Sequence, residues 1–413
     1  MTLIKTSLLN GVAVIIKMLT LLSINKILAV YVGPSGYAVL GQFQNAVQMI
    51  TTFASGAINT GVIKYTAEYR ADIHRQRLVW RTAGTIVLSG SLITGLLIAC
   101  FNQSLAELLL KNADFGGVFL WFAATLTLFT FNTLLLAILN GKKEIARYVL
   151  ANISGSIFAL LVTGMLAMKF GLYGALVALA VYQSITFFVT LLLCYRASWF
   201  KIQYLFGALD KQVILNLGKY TAMALTSAVC VPVSQILVRN HLGTFLGWDA
   251  AGYWEAMWRL SAAYLMLVTS TLSVYYLPRL SELKEPAEIR QEVLQGYMVI
   301  LPVAACCSLA MYLLRDWIIV LLFTSTFSPM REIFGWQMVG NTLKIGSWIL
   351  SYVMLGKAMF KLFMVSEILF AVNFVFLTMM LTHFYGLEGV VIAYAVNYIM
   401  YWLFVGWFVA KGI

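Results

Sequence analysis

The sequence predicts an all-α polytopic membrane protein, with about twelve transmembrane helices in two parallel six-helix lobes around a central cavity. Three observations predict it. The chain is 62% hydrophobic and only 11% charged over 413 residues. Its cations fall overwhelmingly on one side of the alternating apolar segments. Finally, sequence matches recur at one constant separation.

Soluble domains carry roughly 25% charged residues, so a chain this apolar has lipid as its solvent. A bilayer-spanning helix needs about 20 apolar residues, and apolar runs of that length recur from end to end. They place helices near 7–31, 38–63, 82–101, 117–140, 148–168, 174–195, 220–241, 251–277, 296–314, 331–356, 362–383 and 390–410. The first run is too long for a cleavable leader and carries Lys17 and Lys26 where a leader is purely apolar. It reads as a membrane helix. The five cysteines lie in apolar runs without metal-ligand spacing and read as packing residues.

Of the 28 Lys and Arg residues, nineteen fall in the segments on the N-terminal side of the membrane, four on the other side, and five within helices. Because cytoplasmic loops hold the excess of Lys and Arg, both termini are expected in the cytoplasm. The net charge of +12 has this topological origin, which removes any need for nucleic acid as a partner.

Comparing the chain with itself pairs Lys64 with Arg279, Gly141–Lys142 with Gly356–Lys357, and Gly171–Leu172 and Gly174 with Gly386–Leu387 and Gly389, all 215 residues apart. Ala178/Ala393, Ala180/Ala395 and Val181/Val396 extend the last match, and Gly36–Tyr37 and Gly252–Tyr253 lie one residue out of register. Six helices per half is an even number, so the repeat is parallel, with an axis along the membrane normal. The expected division is a lobe over 1–195, a cytoplasmic linker over 196–219 and a lobe over 220–413.

An ionisable residue at the bilayer centre costs about 2.5–3.5 kcal/mol on insertion scales, so it faces a cavity or a partner. The cationic candidates for substrate binding are Lys17, Lys26, Arg239, Arg259 and Lys344, and those for ion coupling or gating are Glu255 and Glu367. Lys17 and Lys344 fall near the middle of their helices, one per half, and either line a cavity or pair with carboxylates or carbonyls. Lys26 is nine residues from Lys17, about half a rotation around a helix, and it and Arg239 stand close enough to a helix end to snorkel. Glu255 and Arg259, at i and i+4, form either an intrahelical pair or a pair that opens for substrate. Glu367 is a partner of Lys344 or a vestibule residue. Tyr253, Trp254 and Trp258 surround the Glu255–Arg259 pair, Trp336 and Trp348 flank Lys344, and these rings either stack on sugars or form interfacial belts. A cationic interior selects an anion, whereas a drug or cation exporter presents acids.

No P-loop sequence occurs, so the chain carries no nucleotide-powered motor. His74, His241 and His383 are far apart and offer neither a triad nor a zinc site. The segments expected outside, near 102–116 and 315–330, are short for a membrane-embedded polymerase or transferase, and Trp317 to Phe323 reads as an interfacial helix. No cofactor is expected.

Four stretches carry a family resemblance: Lys26 to Gly36 (KILAVYVGPSG), Gly61 to Tyr69 (GVIKYTAEY), Tyr276 to Ser281 (YLPRLS), and Leu314–Arg315–Asp316 through Trp336 to Gly346 (WQMVGNTLKIG). Over essentially its whole length the chain resembles the Wzx-type flippases of the polysaccharide transporter group, within the multidrug/oligosaccharidyl-lipid/polysaccharide exporter superfamily. The resemblance implies a MATE-like fold in the bacterial inner membrane and movement of an undecaprenyl-pyrophosphate-linked oligosaccharide from the cytoplasmic to the periplasmic leaflet. It does not choose between enterobacterial common antigen and O-antigen repeat units. It also implies contacts with a glycan polymerase and a chain-length regulator; a monomer is the default. The alternative is a cation-coupled exporter of small molecules with the same fold.

Overall fold

The structure, a computed structural model, describes residues 3–272, 276, 279–280, 283, 285–357 and 359–412, without the side chains of 3–10, 219, 220, 223, 267, 270, 271 and 412. Leu277, Pro278 and Ser281 of the family-like stretch therefore lie outside the described residues. The helices in chain order are α1 (Leu3–Tyr31), α2 (Gly33–Ala54), α3 (Asn59–Glu68), α4 (Ile73–Cys100), α5 (Asn102–Leu110), α6 (Gly116–Gly141), α7 (Ile145–Tyr195), α8 (Lys211–Phe245) and α9 (Trp248–Thr271). They continue with α10 (Pro286–Leu313), α11 (Arg315–Leu322), α12 (Met330–Gly356), α13 (Phe360–Tyr385) and α14 (Glu388–Gly412).

Helix α7 is two arms folded at Gly171, whose backbone (φ 55°, ψ −132°) leaves the helical region. With its arms counted separately, twelve long helical stretches lie among the described residues, where the apolar runs place them. Seven described helices are long and apolar enough to cross a membrane by length and composition. Polar and charged residues dilute the hydropathy of α2, α8, α9 and α12.

The chain divides into two compact units, one of Met1–Val32 with Val39–Pro232 and the other of Gly33–Ala38 with Val233–Ile413. The first has a core that includes Val79, Trp80, Leu134, Ile138, Phe200 and Leu205. Residues 196–210 are part of it: Phe200 and Leu205 are buried, Thr85 Oγ1 donates to Gly207 O at 2.9 Å, and Gly84 lets the Leu205 carbonyl approach where a Cβ would lie 1.9 Å from it. Beneath them Lys142 Nζ donates to Gln76 Oε1 at 3.1 Å and lies 5.4 Å from the centre of the Trp199 ring. Desolvation holds this lysine below the ordinary lysine range, with Glu144 opposing the shift and Arg70 adding to it. The second unit has a core that includes Leu272, Tyr276, Ile349, Val353, Phe370 and Val405.

The 215-residue repeat has a backbone counterpart. Helices α6 and α12 end at Gly141 and Gly356, and α7 and α13 begin at Ile145 and Phe360. Gly386 (φ 55°, ψ −134°) repeats the backbone of Gly171. Three residues on, a Cβ at Gly174 would lie 2.0 Å from the Leu166 carbonyl oxygen and one at Gly389 would lie 2.4 Å from that of Leu381. Leu166 and Leu381 are themselves 215 apart.

Several boundaries differ from the sequence expectation. The expected helix 38–63 is broken at 55–58, where Gly56 and Ala57 take φ values of 65° and 52°, and resumes as α3. Helices α4, α8 and α10 begin about nine or ten residues before the apolar runs, at 73, 211 and 286 rather than 82, 220 and 296. Polar residues extend a helix into water without a hydropathy signal; Asp72, which accepts from His74 N and Arg75 N, caps α4 there. The short segment 102–116 holds the helix α5 and a single turn, and at the 215-residue offset it corresponds to α11. Trp317, Val320 and Leu321 on α11 are more than 70% exposed, as on an interfacial helix.

Candidate functional site

In the second unit three helices carry aromatic and polar side chains at helical spacing. Helix α9 carries Trp254, Trp258 and Ser261, α12 carries Gln337, Asn341, Lys344 and Trp348, and α14 carries Tyr394, Tyr398 and Tyr401. Residues three and four apart share a helix face, so each set is one stripe, and the stripes meet. Ser261 Oγ accepts from Gln337 Nε2 at 3.2 Å and from Asn341 Nδ2 at 3.0 Å. Tyr394 OH donates to Asn341 Oδ1 at 3.1 Å.

Lys344 lies below this ladder, 8% exposed. Its ammonium lies 4.9 Å from the centre of the Trp258 ring, 5.0 Å from Trp348, 5.1 Å from Tyr398 and 5.5 Å from Tyr394. Among the described residues it makes no hydrogen bond or ion pair. Glu367, half-buried on α13, acts on it electrostatically from beyond ion-pair distance. Aromatic faces return about 2 kcal/mol to a desolvated cation, less than the several kcal/mol that burying an ion costs.

A second cluster joins α8 to α9. Glu255 accepts from Arg239 Nε on Oε2 at 2.9 Å and from Arg259 Nε on Oε1 at 2.8 Å. The three are 3%, 1% and 8% exposed in that order. Gln235 Oε1 accepts from Arg239 Nη2 at 3.3 Å. The guanidinium of Arg239 lies over Trp254 and that of Arg259 over Tyr37, each at 5.5 Å, and Tyr37 belongs to the same unit. Two cations on one carboxylate leave the cluster with one net positive charge. Trp254 rests against Trp258 at 5.6 Å, linking this cluster to the lysine box.

The expected pair of Glu255 with Arg259 is thus present, with Arg239 as a third member rather than a snorkelling residue. Trp348 faces Lys344 as expected. Trp336 does not flank it: eight residues away along α12, it is 46% exposed and lines an apolar surface groove with Tyr312 and Gly335. Of the three α9 aromatics grouped around Glu255, Trp254 stays by that cluster, Trp258 turns to Lys344, and Tyr253 packs on Phe327 at 6.1 Å. The rings missed from sequence are Tyr394 and Tyr398, and the signal for them was their i, i+4 spacing, continued by Tyr401. Lys17 and Lys26 belong to the first unit, on α1, where Lys17 is exposed and Lys26 half-buried. His241 accepts a place the sequence did not suggest, its Nε2 2.7 Å from Thr382 Oγ1, with Phe245 between it and His383.

Comparison with known proteins bears on what such a site handles. The chain is 31% identical over 405 residues to a lipid III flippase of Escherichia coli (strain K12), covering 97% of this chain and 96% of the relative. It matches a lipid III flippase of Shigella flexneri to the same extent. Its fold is similar to that of an inward-facing multidrug resistance MATE family transporter of the MOP superfamily, with a TM-score of 0.75 over 96% of this chain and 95% of that one. Identity there is 16%, so this likeness speaks for the fold alone: the chain is an all-α, multi-pass membrane protein. The sequence pattern of the family described as "Polysaccharide biosynthesis protein" matches residues 3–284, and with that match and the full-length relatives together, the chain belongs to this family.

Proposed function

We propose that the chain is a flippase that moves an undecaprenyl-pyrophosphate-linked oligosaccharide from the cytoplasmic to the periplasmic leaflet of the inner membrane by alternating access. The observation that carries this reading is Lys344, a buried ammonium enclosed by four rings and without a hydrogen bond or ion pair among the described residues. A pyrophosphate supplies the missing anion through charge-assisted hydrogen bonds, and Trp and Tyr faces suit sugar rings. Both full-length relatives are lipid III flippases, which supports a glycolipid of that class as the cargo. In this reading the chain is a transporter and not an enzyme, works as a monomer with both termini in the cytoplasm, and passes its product to a glycan polymerase and its chain-length regulator.

Lys344 holds the anion in the second unit. Lys17, exposed midway along α1, and Lys26 toward the helix end are further cations offered to the cargo by the first unit. Arg239 and Arg259 exchange Glu255 for the anion as the cargo advances, so the carboxylate acts as a placeholder.

The test is translocation of a fluorescent undecaprenyl-pyrophosphate oligosaccharide in proteoliposomes, read by a membrane-impermeant quencher. The wild type renders the inner pool accessible. Lys344→Gln slows this by about tenfold or more, equivalent to at least ~1.4 kcal/mol, and Lys344→Arg keeps most of it. A wild type that leaves the glycolipid in place but takes up a cationic dye overturns the reading in favour of the small-molecule exporter.

A further inference from the structure

A second ligand-sized space lies in the same unit, away from Lys344. Where α10 begins and α14 ends, a cavity of about 730 Å³ opens at the surface, within the roughly 300–1,000 Å³ of small-ligand sites. Val293, Leu350, Gly406 and Val409 form its walls, and Arg290 with Gln291 stands at its rim. Gly406 leaves the wall open: the nearest atom to a Cβ there is Leu350 Cδ1, at 3.6 Å. Both helices are long and apolar enough to cross the membrane. Leu350 and Gly406 fall inside the apolar runs 331–356 and 390–410, at acyl-chain level, whereas Arg290 stands on the polar extension of α10, six residues before its run and on the headgroup side.

Arg290 is the cation lining this rim, and the exposed Glu285 is next in sequence to the lining Pro286. Arg290 is exposed and makes no hydrogen bond or ion pair among the described residues. Glu288 and Glu292 are each two positions away, about 200° around the helix, and Glu292 is held by Arg279 at 3.5 Å. Lys411 follows the lining Ala410 at the end of α14, its ammonium 3.8 Å from the centre of the Trp407 ring. A guanidinium without an ion pair among the described residues, above an apolar slot at headgroup depth, suits a lipid phosphate with an acyl chain beneath it. Basic pockets between membrane helices bind anionic headgroups in this way, and Arg suits phosphate oxygens through paired donors.

We propose that this groove binds one anionic phospholipid of the phosphatidylglycerol class from the leaflet on the C-terminal side, with Arg290 on the phosphate and an acyl chain along Gly406 and Leu350. The site is separate from the cargo box, and its occupancy does not depend on the flippase reading.

Native mass spectrometry of the purified chain, released from micelles holding equal amounts of phosphatidylglycerol and phosphatidylethanolamine, tests it. The wild type retains one phosphatidylglycerol in preference to phosphatidylethanolamine. Arg290→Gln, a change at an exposed side chain, reduces that retention by about tenfold and abolishes the preference, while Arg290→Lys keeps part of both. Gly406→Leu fills the slot and lowers retention of either lipid. No preference in the wild type, or undiminished retention in Arg290→Gln, overturns the proposal. Displacement of the phospholipid by stoichiometric undecaprenyl phosphate also overturns it, since the groove would then belong to the cargo.

Discussion

Glu255 is the side chain on which the charge balance of the α8–α9 cluster turns. It is the carboxylate shared by Arg239 and Arg259, all three buried, and breaking a buried ion pair from one side costs about 3–5 kcal/mol because the other charge is left behind. Glu255→Gln is therefore expected to lower the midpoint of thermal unfolding in detergent, and adding Arg239→Gln to recover part of the loss. Additive losses in the double variant would mean that the two residues do not act on each other. With Glu255 so engaged, Glu367, half-buried on α13 and without an ion pair among the described residues, is the carboxylate we propose to test for ion coupling. If a proton gradient drives the cycle, imposed gradients accelerate transport by the wild type and not by Glu367→Gln; equal responses in the two remove Glu367 from coupling. The candidate charges were legible in the sequence because an ion inside an apolar run is rare and conspicuous. Their partners were not, since Tyr394 and Tyr398 sit in an apolar helix where aromatic residues are ordinary and only folding brings that face to Lys344.

Among the elements, the folds at Gly171 and Gly386 are built from the same backbone conformation, φ 55° with ψ near −133°. This lies outside the left-handed helical region open to Asn or Asp, and an L side chain there carries strain on the order of 1–3 kcal/mol. Gly171→Ala and Gly386→Ala are each expected to lower the thermal midpoint by similar amounts, and Gly171→Asn is expected to give no relief. An unchanged midpoint would show that the chain relaxes at these folds and that the shared geometry is not a constraint. The Gly-Leu-x-Gly match marked these positions in sequence but not what they do, because a glycine's backbone conformation leaves no trace in hydropathy. The helix ends were misplaced for the opposite reason. Hydropathy registers the bilayer boundary, whereas Asp72 stops α4 by capping it well outside that boundary, and the break at 55–58 lies within a run whose composition does not change.

Across the whole molecule, the most legible features were the number of long helices and the 215-residue repeat, because both are summed over many residues and survive local error. Orientation rests on the same kind of sum. Nineteen cations fall on one side and four on the other, and since Lys and Arg near helix ends are retained in the cytoplasm, inversion would carry the whole set across. Two exposed positions report the two sides: Ser198, in the turn after α7, and Ala113, in the turn after α5. In a variant with its five native cysteines replaced, Ala113→Cys is expected to react with a membrane-impermeant maleimide in spheroplasts. Ser198→Cys is expected to react only after the membrane is opened. Ser198 stands beside Trp199 and the Lys142 site, so its side is also the side of the packed 196–210 segment. The reverse labelling pattern would put that segment and both termini in the periplasm, and the direction of transport inferred from the orientation would reverse with them.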